Sequence, residues 1–361
     1  MREWSLVGSL VMGIAGCTLY DPGDQGSDPV DGGTDVAQPR SPMALPLVPP
    51  EPAANPTTAA KVALGRLLFW DPILSGDRDI ACATCHDPEL AYTDGMRTPI
   101  GVGRNSMSVL NTAWNGLVAM QPPPAAENAP MFWDSRARSL EAQARGPITA
   151  PAEMLGTAFT EATIFPELVT RLSAIPDYAT QFSAAFGPGS ITETNILAAI
   201  AAFERTLTAP ETSYDRFVNG DLTAMTPQAQ RGLEIFKMNG CVNCHSGPMF
   251  SDFELHELRV PEPPGVTHDA GDGSNRFRTA SLRGVTLTAP YMHNGVFPTF
   301  REVFGFYRQA GQNSMDPKLR GVLPPPPEQA PDFLAFLAAL GDGEFDRQVP
   351  TSVPSGLPPG G

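Results

Sequence analysis

The chain has 361 residues, which is enough for two or three domains that each bury a core. Its formal net charge of -15 argues against nucleic acid or an anionic membrane surface as a partner, because both would repel it. The 39 prolines and 34 glycines predict long loops rather than dense helix.

A short apolar run, residues 6–15, follows Arg2 at the N-terminus and ends just before Cys17. The run is too short to span a bilayer, so it indicates an export signal. The sequence Ile-Ala-Gly-Cys at its end resembles the lipobox of bacterial lipoproteins, in which the signal is removed before the cysteine and the thiol is acylated. We therefore expect residues 1–17 to be a signal peptide with lipobox and the body to lie on the periplasmic side, anchored by lipid on Cys17. A secretory signal cut elsewhere, or an uncleaved anchor, remains open.

Residues 18–56 are rich in aspartate, glycine and proline. Such a composition buries too little apolar surface to offset the entropy of ordering, so a flexible linker is predicted here. Folded structure is expected to begin near Thr57.

Two amphipathic helices each precede a Cys-x-x-Cys-His motif. The first begins at Thr57 or Thr58, and the second begins at Thr226-Pro227 and ends at Gly240. Both contain a glycine three residues before a hydrophobic pair that ends in phenylalanine, Leu68-Phe69 and Ile235-Phe236, which indicates an internal duplication.

A third helix is predicted after the capping box Ser190-Ile-Thr-Glu193, with one buried stripe through residues 196–207. It closes an N-terminal domain, 57–210. A C-terminal domain, 211–345, carries helices at 299–309 and 333–340, and residues 346–361 are predicted to be a disordered tail.

The two motifs are Cys82-Ala-Thr-Cys85-His86 and Cys241-Val-Asn-Cys244-His245. Two thiols three positions apart reach the two vinyl groups of a haem, and the following histidine places its imidazole on the iron. A zinc site or a redox dithiol is the alternative for such cysteines. Two copies, each followed by histidine, in a chain whose fifth cysteine lies in the signal region favour two covalently bound haem c groups.

The N-terminal domain has no histidine besides His86, because the other three are His256, His268 and His293. If the first iron has a sixth protein ligand from its own domain, that ligand is not imidazole. An open iron is what a peroxidase needs, since peroxide must bind the metal. Methionine remains a possible sixth ligand, although most methionines are core residues. The candidates are Met96, Met107, Met120, Met131 and Met154.

From about Thr57 to Leu340 the chain resembles the bacterial dihaem cytochrome c peroxidases and, more closely, the MauG-like dihaem enzymes. Besides the paired motifs, the resemblance rests on residues 64–75, 104–106, 131–136, 146–153 and 287–295. It implies a high-spin, peroxide-reactive first haem, a second haem that relays or stores an electron, and a tryptophan between them.

The resemblance assigns roles around the first haem by position. Trp133 matches the inter-haem tryptophan, while Gln143, Pro147 and Glu153 match the residues above the first haem. Glu153 would be the acid/base that moves a proton between the peroxide oxygens, a role that burial helps by raising its pKa. Peroxidases that need reductive activation have a histidine in the loop that corresponds to residues 95–103, and none is present here.

For the second haem, the resemblance implies Tyr307 as the distal iron ligand, at the place where the peroxidases have methionine. The alternatives are Tyr307 as a packing residue, with Met292 or Met315 as the ligand. It also implies a calcium site formed by Asn105 and the carbonyls of Thr288 and Pro290, an oxygen set that suits this ion. His293, in the same stretch, would orient that loop or a haem propionate.

The predicted fold is mainly α, with two cytochrome c-type haem domains, long loops and little β-structure. The predicted function is a dihaem peroxidase-type oxidoreductase that takes hydrogen peroxide. Its electrons would come from a small cytochrome c or cupredoxin, or it would oxidise a protein substrate as MauG does. The alternative is a non-catalytic electron-transfer cytochrome with two six-coordinate irons.

Overall fold

The computed structural model describes residues 43–99, 102–119, 125–313 and 316–360. The predicted signal peptide with Cys17, most of the predicted linker, and the candidate ligands Met120 and Met315 lie outside the described residues. The described residues all belong to one compact unit. No helix in the described ranges is long and apolar enough to cross a membrane.

The described residues are mainly helical, as predicted. The one sheet found among them has two short antiparallel strands, β1 (Leu255–His256) and β2 (Phe277–Arg278), with Leu255 opposite Arg278. The helices are α1 (Ala59–Trp70), α2 (Leu140–Thr149), α3 (Ile164–Ser173), α4 (Pro176–Phe186), α5 (Glu193–Glu204), α6 (Ser213–Val218), α7 (Pro227–Met238), α8 (Phe300–Asn313) and α9 (Ala330–Ala338).

The predicted helix starts are largely confirmed by the caps. Thr58 caps α1 by accepting from the Lys61 backbone N–H, and Thr226 caps α7 with Pro227 at the first helical position. The capping box predicted at Ser190 is wrong in its first residue. Thr192 caps α5, while the Ser190 hydroxyl donates to the Phe182 carbonyl at the end of α4.

The two helices that precede the motifs pack in the same way. A Cβ on Gly65 would lie 1.9 Å from the Ala199 carbonyl oxygen of α5, and one on Gly232 would lie 2.0 Å from the Asp332 carbonyl oxygen of α9. Only glycine permits this approach. Each crossing also has a phenylalanine pair: the ring centroids of Phe69 and Phe203 are 5.3 Å apart, and those of Phe236 and Phe336 are 5.1 Å apart. The shared glycine of the sequence is therefore the contact point of a repeated helix pair.

Each half has a hydrophobic core, and a third cluster joins them. The first core lies among α1, α3, α4 and α5, and the second lies between α7 and α9. The joining cluster packs Trp114 and Met131 of the first half against Met249 and Phe253 of the second. The division at residue 210 stays a prediction, because the described residues from 43 onward belong to one compact unit.

Both ends of the described chain are packed, in contrast to the predicted flexibility. In the segment assigned to the linker, Leu45 is buried and its N–H donates to Asp215 Oδ1 at 2.9 Å. The tail predicted to be disordered runs over the first half, where Val353 is buried and the Ser355 hydroxyl donates to Asp71 Oδ1 at 2.6 Å. The composition of these segments did not predict their order, because a few apolar residues and a few hydrogen bonds to the folded body are enough to fix them.

Candidate dihaem site

The first motif begins as a 3-10 turn, Cys82–Thr84, and leads directly into His86. His86 Nδ1 lies 2.9 Å from the Tyr92 carbonyl oxygen, so this nitrogen carries the proton and Nε2 is left for a metal. Burial lowers the pKa of His86, which favours the neutral imidazole that binds iron.

The second motif repeats this arrangement. Cys241–Asn243 forms the 3-10 turn, after Gly240 ends α7 with φ of 77°. His245 Nδ1 lies 3.0 Å from the Phe250 carbonyl oxygen, and burial lowers its pKa. Tyr92 and Phe250, the two acceptors, both have left-handed backbone, with φ of 60° and 50°.

The surroundings of the cysteines fit covalently held haem. A cavity of about 270 Å³ is lined by Cys241, Cys244, His245 and Tyr307. Burial raises the pKa of Cys85 to about 11 and that of Cys241 to about 12. A zinc site or a redox dithiol needs the opposite shift, toward the thiolate, whereas a thioether to haem carries no charge and suits a buried position.

The residues predicted above the first haem lie on α2 and the turn that follows it. Gln143 and Pro147 are four residues apart, on one face of α2. The Pro147 carbonyl accepts from the Met154 N–H at 3.1 Å, which closes the turn that carries Glu153. Burial raises the pKa of Glu153, and its charge in turn raises the pKa of Cys82 and Cys85. The structure therefore brings Glu153 to the first motif.

The second half repeats the loop that precedes α2. The Met131 N–H donates to the Ala137 carbonyl at 2.9 Å, and the Tyr291 N–H donates to the Phe297 carbonyl at 2.8 Å before α8. The residue after each donor has left-handed backbone. In this register Pro147 and Tyr307 are equivalent, since each comes sixteen residues after the first residue of its loop.

Tyr307 shares the wall of the second cavity with both cysteines and His245. Burial raises the pKa of its phenol. Met292, the competing candidate, also lines this cavity. The structure thus brings two of the three predicted ligand candidates to the second motif.

Trp133 lies at the contact between the halves. Its indole N–H donates to the Asn105 carbonyl at 2.9 Å, and its own carbonyl accepts from the Arg278 N–H of β2 at 2.6 Å. The Asn105 N–H donates to the His293 carbonyl at 2.7 Å. His293 is the equivalent of Trp133 in the repeated loop, and it stacks on Phe277 with ring centroids 3.7 Å apart.

The three residues predicted to bind calcium all line the same cavity wall. The Asn105 side-chain nitrogen donates to the carbonyls of Met96 and Arg97, at 2.9 and 3.2 Å. The Thr288 hydroxyl donates to the Val285 carbonyl at 3.3 Å. Asn105, Thr288 and Pro290 thus lie at one cavity, and the ion itself stays a prediction.

Most of the first-half methionines that the structure describes have other roles. Met131 belongs to the joining cluster, where its sulfur accepts from Asn115 Nδ2 at 3.3 Å, and Met154 belongs to the first core. The Met107 sulfur lies 3.7 Å from Arg278 Nη2, and Met96 is exposed.

Sequence reasoning missed a charged group beside the second motif. His256 is buried, with Nε2 3.1 Å from Asp252 and Nδ1 2.8 Å from Asp316. Burial lowers the pKa of His256, but hydrogen bonds with Asp252, Cys244 and Asp316 outweigh it and raise the pKa to about 11. The four-residue spacing of Asp252 and His256 is the sequence feature that could have indicated this contact.

Cys244, Asp252 and His256 are the one group of potential metal ligands found close together in the described ranges.

Two helix-led Cys-x-x-Cys-His units, each with its histidine oriented by a backbone carbonyl, define a dihaem c-type cytochrome. Residues 59–223 match the model of the di-haem cytochrome c peroxidase family. The methylamine utilization protein MauG of Methylorubrum extorquens is 37% identical over 81% of this chain and 81% of its own length. The cytochrome-c peroxidase IdrP1 of Denitromonas iodatirespirans is 35% identical over 82% of this chain and 85% of its own length.

Among solved structures, a MauG-like protein associated with microbial copper homeostasis superposes with a TM-score of 0.69 and 28% identity, over 83% of this chain and 94% of that protein. The chain belongs to the di-haem cytochrome c peroxidase family. It is a dihaem peroxidase-type oxidoreductase with two haem c groups, and hydrogen peroxide or a protein substrate is its reaction partner.

Proposed function

We propose that the two haem sites are unequal: His86 would hold a haem whose iron is left open to peroxide, and His245 with Tyr307 would hold a closed haem that shares the oxidising equivalents. The observation that carries this proposal is the equivalence of Pro147 and Tyr307 in the repeated loop and helix. Proline has no side-chain donor for a metal, whereas a phenol oxygen can be an iron ligand. When bound, each haem supplies an iron that exchanges single electrons.

The protein's part at the first haem is to move a proton. Glu153 is partly buried, and its carboxyl has no hydrogen-bond partner among the described residues, so the group would be free to accept a proton from one peroxide oxygen and return it to the other. Arg136 is the charge that opposes the raised pKa of Glu153. Gln143, on the same helix face as Pro147, would orient the peroxide by hydrogen bonding.

At the second haem, α8 presents Tyr307 to the cavity that contains His245. A phenolate oxygen donor stabilises ferric and higher-valent iron over ferrous iron, which suits a centre that stores an oxidising equivalent. Trp133, bonded to both halves, would carry electrons between the two haems.

The ferric spectrum of the purified holoprotein tests this proposal. We expect one high-spin and one low-spin haem and a spectral change when hydrogen peroxide is added. Two low-spin haems that do not respond to peroxide would instead indicate the electron-transfer cytochrome.

We further propose a periplasmic location with a lipid anchor on Cys17. Its electron donor would be a small cytochrome c or cupredoxin, unless a protein side chain is the substrate. Globomycin treatment of producing cells, which blocks removal of lipoprotein signals, should then leave an uncleaved precursor.

We also propose that Asn105, Thr288 and Pro290 bind calcium, since these residues line one cavity. Removal of calcium by a chelator should lower the melting temperature, and added Ca²⁺ should restore it.

A further inference from the structure

The proximal histidines are held by strained residues. Tyr92 and Phe250 offer their carbonyls to His86 and His245 from left-handed backbone, which costs about 1–2 kcal/mol for a side chain with a Cβ. Such a conformation persists only when the surroundings hold it. What holds each of these two residues therefore controls the orientation of a histidine.

Phe250 is held by its own half. Its ring packs against Tyr214, Phe236 and Phe336 with centroids 4.9, 5.9 and 5.8 Å away. Tyr214 is in turn hydrogen-bonded to the backbone of Met43.

Tyr92 is held by a segment that comes from the other end of the chain. The segment is residues 344–360, here called the C-terminal strap. The fully buried Tyr92 donates its hydroxyl proton to the Asp346 carbonyl at 2.7 Å, and its ring lies 6.3 Å from that of Phe345. Phe250 has no hydroxyl, so this anchor exists at the first haem alone.

Further contacts tie the strap to the first motif. The Thr84 hydroxyl, inside the Cys-x-x-Cys turn, donates to the Gly360 carbonyl at 2.5 Å, and the Gly360 N–H donates to the Trp70 carbonyl at 2.8 Å. Arg66 of α1 forms an ion pair with Asp346. The strap therefore spans the end of α1, the haem-attachment turn and the acceptor of His86.

We propose that the C-terminal strap, acting through the Tyr92 hydroxyl, positions the carbonyl that binds His86 Nδ1 and thereby sets the reduction potential of the first haem. Tyr92 is a positioning residue here. A firm Nδ1–H to carbonyl bond makes the imidazole a stronger donor, which stabilises ferric iron. The inference rests on the proposed function only in taking His86 as the axial ligand of the first haem.

The test is a redox titration of Tyr92→Phe holoprotein without peroxide. The redox wave of the first haem is identified as the one whose midpoint potential changes in His86→Met. Loosening the carbonyl weakens the donor strength of His86, so the first-haem midpoint potential should rise while the second stays at its wild-type value. Tyr214→Phe is the matched control, because it removes a buried tyrosine hydroxyl that is hydrogen-bonded to the Met43 backbone, from a ring that packs against Phe250. It should leave the first wave in place.

A second variant that ends after Phe345 removes the Asp346 carbonyl and should shift the first wave in the same direction. Hydrogen exchange of residues 346–360 should also rise in Tyr92→Phe, but a merely structural strap would give that result without any change in potential. An unchanged first wave in Tyr92→Phe, a common shift of both waves, or an equal shift in Tyr214→Phe would overturn the inference. These outcomes are independent of the proposed open iron, which the ferric spectrum of the wild-type protein tests.

Discussion

The two haem-binding halves agree on the proximal side of each haem and differ on the distal side. In both halves, two helices cross at a glycine and the cysteines of the motif lie on a 3-10 turn. In both, the histidine of the motif is hydrogen-bonded to a backbone carbonyl. The helix after the repeated loop has Pro147 in one half and Tyr307 at the equivalent position in the other. Under the proposed function, a duplicated frame attaches two identical cofactors, and this one position decides whether a side chain competes for the iron.

The largest effect is expected for Glu153→Gln, which removes the proposed proton acceptor of the first half. The rate of the peroxide reaction should fall by about 10²–10⁴-fold, the usual contribution of a positioned acid/base. Stopped-flow absorbance measures it. Glu161→Gln, which changes an exposed carboxylate that pairs with Arg145, is the control and should react like wild type.

The pH dependence of the same reaction sharpens the assignment. The carboxylate form of Glu153 accepts the proton, and burial raises its pKa above the usual value for glutamate. The rate should be highest above that raised pKa and fall as the pH drops through it. An acid limb that persists unchanged in Glu153→Gln would assign the titrating group elsewhere.

Tyr307→Phe should make the second half resemble the first. Loss of the phenol oxygen removes the proposed ligand, so the low-spin spectrum of the second haem should be replaced while that of the first stays. Electron paramagnetic resonance of the ferric protein resolves the two. Phe306→Leu changes the neighbouring side chain and should leave both signals; an unaltered second haem in Tyr307→Phe would leave Met292 and Met315 as the candidate ligands.

The glycine crossings are the feature that the halves share, and breaking either should destabilise the protein. An alanine at Gly65 or Gly232 places Cβ about 2 Å from a backbone oxygen. We expect a loss of about 1–3 kcal/mol or more in the free energy of unfolding, the range for overpacking. Gly305→Ala in α8, where nothing lies within 4 Å, should be neutral or stabilising by about 0.5–1 kcal/mol. Chemical denaturation measures all three.

The smallest effect is expected for Trp133→Phe. The variant loses the hydrogen bond to the Asn105 carbonyl, worth about 1 kcal/mol, and should slow the response of the second haem after peroxide is added. In Trp114→Phe, the changed indole is buried and its N–H has no hydrogen-bond partner among the described residues. If the two variants delay the second haem equally, Trp133 has no special part in the exchange.

The features that the sequence predicted are local ones. The cysteine spacing predicted two haems, the Thr-Pro start and the glycine stop predicted α7, and the shared glycine indicated the duplication. The acceptors Tyr92 and Phe250 were not predicted, because a carbonyl partner for histidine depends on the path of the loop and not on the residue type. The strap was missed for a related reason: its anchors, such as Asp71 for Ser355, lie nearly 300 positions away in the chain. The structural propensities of single residues carry no information about contacts between residues so far apart in the chain.

The crossing of the strap also affects the order in which the protein is completed. Residues 344–360 leave the ribosome after both haem motifs, and they close over Thr84 and Tyr92 of the first one. The first haem site, although encoded first, is thus finished last, when the second half has already been synthesised. A chain interrupted before residue 344 would contain all four haem-binding cysteines and still lack the contacts of the strap with Thr84 and Tyr92.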